Sequence, residues 1–104
     1  MPNGHDRGWI RLCGAVDGFR VRYGRWPTRI LVSPNALDYF RDHLFTADDF
    51  ARITAKVLLV PREGAIIAQD DLGGTYNYEA DGFPRKSPTP SADEWFGVCP
   101  KPEP

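Results

Sequence analysis

The sequence predicts a small α+β domain: an antiparallel or mixed sheet of about four strands, with two to three helices on one face, in the order α-β-α-α-β-β-β. Three observations carry this. Apolar residues recur at three- and four-residue spacing over Trp9–Tyr23, Leu37–Leu44 and Phe50–Val57, the period of a helix buried along one side. Short aliphatic runs at Ile30–Val32, Val57–Val60 and Ala65–Gln69, and the hydroxyl–aromatic alternation at Thr75–Tyr78, have strand character. Between these strands lie Pro61-Arg-Glu-Gly64 and Asp70-Asp-Leu-Gly-Gly74, whose acids and glycines suit turns. At 104 residues the chain forms one core and not two.

Taken in order, residues 1–7 are polar and are expected to fray. The first helix follows, with Trp9, Leu12, Cys13, Val16, Phe19 and Tyr23 in one sector and Gly24 placed as its C-terminal cap. Gly14 and Gly18 fall opposite that stripe, beside Arg7, Arg11 and Arg22, and the plain reading is a solvated outer face. The alternative is a face where small residues admit a phosphate or backbone between guanidinium forks. Trp26, held extended by Pro27, leads into the first strand and packs over the edge of the core. Ser33-Pro34 opens a helix, and Thr46 with Asp49 caps the next. The last three strands form an antiparallel meander, joined in one sheet by Ile30–Val32.

Residues 1–79 make up the domain, and 80–104 read as a proline-rich extension holding six of the ten prolines. Within it, Ser91 and Glu94 have capping-box spacing and open a turn presenting Trp95 and Phe96. That turn either docks on the domain or offers an aromatic peptide to a partner, docking being the favoured outcome for two large aromatic rings.

The charge balance is −1 but uneven. Residues 1–30 hold six arginines against two aspartates, whereas the remainder holds seven basic and twelve acidic side chains. The halves either neutralise each other in the fold or present opposite faces to partners. No stretch approaches the ~18 apolar residues of a membrane span, and the first dozen residues lack a secretory pattern, so a cytoplasmic protein is expected. Cys13 and Cys99 lack CxxC spacing and read as idle thiols; a disulfide between them is the minority reading.

Catalytic patterns are sparse. There is no GxSxG elbow and no phosphate-binding glycine loop. Asp42, His43, Asp48 and Asp49, and the pair Asp70-Asp71, are explained by helix dipoles and turns, so no metal or cofactor is expected. The primary expectation is a non-enzymatic interaction module, an accessory subunit or inhibitor. It would bind a protein partner through Arg7, Arg11, Arg22, Arg25 and Trp26, or through Trp95 and Phe96. Nucleic acid is the second kind of partner that the N-terminal arginines suit. Over residues 28–78 the order strand, two helices, three strands resembles the RelE/ParE toxin fold. That resemblance implies a ribonuclease site at Arg62, Tyr76, Tyr78, Arg85 and Lys86, with cations for the phosphate and a tyrosine for proton transfer.

Overall fold

The computed structural model describes residues 4–86 and 88–98, with side chains from residue 8 onward. Helix α1 spans Gly4–Tyr23 and so begins inside the segment expected to fray. It stops at Gly24, whose φ of 74° is the left-handed geometry glycine adopts without a Cβ penalty. Strand β1 (Arg29–Val32) leads to α2 (Pro34–Tyr39), where Pro34 occupies the first turn as expected. Ser33 takes the extended cap conformation, but its hydroxyl makes no capping bond. The chain continues through one π-helical turn, Phe40–Leu44, closed by Phe45 N–H donating to Phe40 O at 3.1 Å. This wider turn lets Phe40, Leu44 and Phe45 all face inward. Helix α3 (Ala47–Lys56) starts at Thr46, whose hydroxyl accepts from Asp49 N–H at 3.1 Å.

Strands β2 (Leu58–Pro61), β3 (Ile66–Gln69) and β4 (Thr75–Asn77) complete a four-stranded sheet of order β2-β1-β3-β4. The expected meander is corrected here. Strand β2 lies parallel to β1, β3 lies antiparallel on the other side of β1, and only β3–β4 is a hairpin. The two helices between β1 and β2 supply the long crossover that parallel pairing requires. Pro61 supplies a second reason. Leu58 and Arg62 donate to Thr28 and Val32 at 2.9 Å, so residues 59 and 61 face the outer edge, and Pro61 has no N–H to offer there.

The helices lie on one face, over Ile30, Val32, Ala68 and Tyr76. The opposite face carries Leu31, Val60 and Ile67, with Leu58 64 % exposed at its edge. Trp9 centres the main core, its ring 4.7–5.7 Å from those of Phe40, Phe45 and Phe96. After the short helix α4 (Tyr78–Asp81), helix α5 (Ala92–Phe96) returns to α1 and buries Ala92 and Phe96. Its first N–H, from Ala92, donates to Asp17 at 2.7 Å. Within the segment read as an extension, Ala92 and Phe96 therefore join the core. Cys99 and any pairing with Cys13 lie outside the described residues. No helix among the described residues is long and apolar enough to cross a membrane.

Candidate functional site

The site begins with Gly14 and Gly18 of α1. Neither faces solvent. A Cβ on Gly18 would come within 2.2 Å of the Tyr76 ring, and one on Gly14 within 2.7 Å of the Phe83 ring. The solvated-face reading is corrected: the glycines are seats for aromatic rings arriving from β4 and from the chain after α4. Tyr76 is pinned from both ends. Its hydroxyl donates to Gly82 O at 2.7 Å, and the Arg22 guanidinium lies over its ring at 4.6 Å from the centroid. Arg22 is oriented by Asp81 at 3.1 Å and by Thr75 O at 3.2 Å.

Together these contacts leave a cleft of about 450 Å³ between the last turns of α1 and residues 84–86. Val21, Tyr76 and Pro84 give it an apolar floor; Arg22, Arg85 and Lys86 stand at its rim. Arg85 and Lys86 are exposed and have no carboxylate partner among the described residues. Arg11, Arg20, Lys56 and Arg62 are likewise without one there, but of these six cations only Arg85 and Lys86 border this cleft. Arg22 pairs with Asp81, Arg25 with the buried Asp70, and Arg29 with Asp71 at 2.6 Å. Three of the five arginines described in residues 8–30 are thus neutralised inside the fold, by the acidic stretch 70–81. Arg25 holds the Asp70 carboxyl below its ordinary range, helped by N–H donors from Gly74 and Leu72.

Of the other partner-binding candidates, Arg11 is exposed on α1, and the Arg7 side chain lies outside the described residues. Trp95 has docked: its ring stacks on Trp26 with centroids 4.4 Å apart and planes 5° from parallel. Arg20 and Lys56 flank this pair, at 5.5 and 5.2 Å from the nearer ring. Phe96 is 1 % exposed, a core residue with no surface to present.

The residues implied by the toxin resemblance divide. Tyr76, Arg85 and Lys86 meet at the cleft, but Tyr78 turns to Phe83, ring centroids 5.0 Å apart. Arg62 follows β2, three strand spacings or about 14 Å across the sheet from β4. The Tyr76 hydroxyl is already committed to a backbone carbonyl, and burial pushes its pKa up, which ill suits a general base.

A second cleft of about 280 Å³ lies on the other side of Phe83 and Pro84, beside Cys13, Asp17 and Asp93. Burial pushes the Asp17 carboxyl up to about 6, with Asp93 adding and the Ala92 N–H opposing. Burial also raises the Cys13 thiol well above its usual range, with Asp93 and Asp17 reinforcing it, so the nucleophilic thiolate is disfavoured. Among the described residues no three His, Cys, Asp or Glu side chains are grouped to hold a metal ion.

What sequence reasoning missed is the pairing of Gly14 and Gly18 with Phe83 and Tyr76, and with it Val21 and Pro84. The four-residue glycine spacing was a visible signal for close approach, but it did not say which rings approach. The chain matches no known family model, no curated protein and no solved structure.

Proposed function

We propose that this chain is a non-enzymatic interaction module that captures an acidic, partly apolar segment of a protein partner in the cleft between α1 and residues 84–86. One observation carries the reading: Arg85 and Lys86 are unpaired cations set together beside an apolar floor, in a molecule that pairs five of its eight other described arginines with its own carboxylates. Partner carboxylates at that rim would meet the two cations beside apolar Pro84 and Val21, and a segment covering the floor would exclude water from the ion pairs it forms.

The strand edges favour the cleft by elimination. The β2 edge is blunted by Pro61. At the β4 edge, Tyr23 hydroxyl accepts from Thr75 N–H at 3.1 Å and donates to Thr75 O at 3.0 Å, while Asn77 N–H donates to Asp81 at 3.2 Å. Neither edge is free to add a strand from a partner. A protein partner is preferred to nucleic acid because Arg22 and Arg25 are already neutralised, which leaves too short a cationic track for a phosphate backbone.

The test is titration of the full chain with a labelled Glu-Leu-Glu peptide. Arg85→Glu with Lys86→Glu should weaken binding ~10-fold or more, whereas Arg11→Glu, on α1 away from the cleft, should leave it unchanged. Equal loss in both variants would reduce the interaction to general charge attraction and overturn the reading.

A further inference from the structure

The two clefts belong to one line on α1. Ile10, Gly14, Asp17 and Val21 fall within about 60° of each other at 3.6 residues per turn, a stripe about 16 Å long. Phe83 and Pro84 cross it over Gly14, where the missing Cβ lets the chain sit low. Of the five large apolar side chains left exposed among the described residues, three stand here: Ile10, Val21 and Phe83, each about half exposed. The other two, Leu58 and Leu72, lie elsewhere.

The stripe is also electrically polar. Its C-terminal end carries the free cations Arg85 and Lys86. The second cleft, across Phe83 and Pro84 from those cations, carries Asp17 and Asp93, neither with a cationic partner among the described residues. Asp17 accepts the Ala92 N–H and Asp93 accepts the Ser91 hydroxyl at 2.7 Å, so both carboxylates are held in place and not swept by long side chains.

We propose that this stripe is a docking groove for an extended segment of a partner protein, about five residues long. Its acidic side chain lies at Arg85 and Lys86, an apolar one rests on Phe83 and Pro84, and a lysine or arginine reaches Asp93 and Asp17. The length follows from ~16 Å at ~3.3 Å per extended residue. Charge complementarity selects the occupant: a uniformly acidic peptide or a nucleic-acid strand would carry negative charge onto Asp93 and Asp17, and a uniformly basic one would fail at the other end. The inference rests on the cleft reading above and adds polarity and length to it.

The experiment uses the full chain and fluorescence anisotropy with labelled, Gly-Ser-flanked peptides: Glu-Gly-Leu-Gly-Lys, its reverse Lys-Gly-Leu-Gly-Glu, and Glu-Gly-Leu-Gly-Glu. One of the two mixed-charge orders should bind ~5-fold tighter than the all-acidic peptide, fixing the direction of the segment. Asp93→Lys should invert that preference, and Ile10→Ser should weaken the preferred peptide ~3-fold; retention of the Trp26–Trp95 exciton couplet in circular dichroism checks that α5 stays docked in both variants. Equal binding of all three peptides, still dependent on Arg85 and Lys86, would overturn the groove and leave the cleft. No binding of any peptide, or tighter binding of a single-stranded RNA of similar length, would overturn both.

Discussion

Gly18→Ala distinguishes a solvated helix face from a ring seat, because the two assign it opposite signs. In an exposed helix interior the substitution stabilises by about 1 kcal/mol through backbone propensity. Here the new methyl would sit 2.2 Å from Tyr76 Cζ, against an ordinary carbon–carbon contact of about 3.5–4.0 Å. The ring must retreat by more than an ångström, yet its hydroxyl is fixed to Gly82 O and its outer face is covered by Arg22. Overpacking of this kind costs about 1–3 kcal/mol, and losing the hydroxyl bond adds about 1 kcal/mol. Net destabilisation of ~1–3 kcal/mol follows, measured by urea unfolding at constant m-value. In a Tyr76→Ala background the clash is gone, so Gly18→Ala should be neutral or stabilising there, a coupling of about 2–3 kcal/mol across the cycle. Stabilisation by Gly18→Ala in the otherwise unchanged chain would refute the packing of α1 against β4.

Two further outcomes follow from the same structure. Asp17 has its carboxyl pKa raised to about 6 from an unfolded value of 3.8, so its contribution is full below the unfolded value and is lost as pH rises through about 6. Stability should therefore fall by ~1–2 kcal/mol between about pH 4 and pH 7, less than the full shift implies because the group is partly solvated; Asp17→Asn should flatten the profile in a thermal-melt series, and an unchanged slope would count against it. The carboxyls lowered by arginine, Asp70 and Asp81, act in the opposite sense but at more acidic pH, outside that window. Pro61→Val restores an outward N–H on β2 and should produce concentration-dependent self-association by size-exclusion chromatography, with little change in unfolding midpoint; a strictly monomeric variant would show that proline is not what protects this edge.

The fold was legible where a local rule acts alone. Leu37, Phe40 and Leu44 announced a helix, Thr46 and Asp49 its successor's cap, and Ser91 with Glu94 the short helix that docks Trp95 and Phe96. Strand pairing was not legible, because four short runs of aliphatic residues carry no address; the turn at 61–64 looks like a hairpin whether or not β1 lies between its arms. The site was half legible. Arg22, Tyr76, Arg85 and Lys86 were each singled out, but under two different hypotheses, since nothing local says that a helix glycine receives a ring sixty residues away. Arg25 looked available for a partner until the fold brought Asp70 to it. Net charge by segment showed that complementarity existed without showing that it was internal.

The most direct test of the account is a ¹⁵N–¹H correlation titration of the labelled full chain with the Glu-Gly-Leu-Gly-Lys peptide or its reverse, whichever binds more tightly. The largest shifts should fall at Gly18, Val21, Arg22, Arg85 and Lys86, continuing towards Ile10 and Asp93 as the groove fills. Shifts confined to Leu31, Leu58, Val60 and Ile67 would place the binding surface on the open face of the sheet and contradict it.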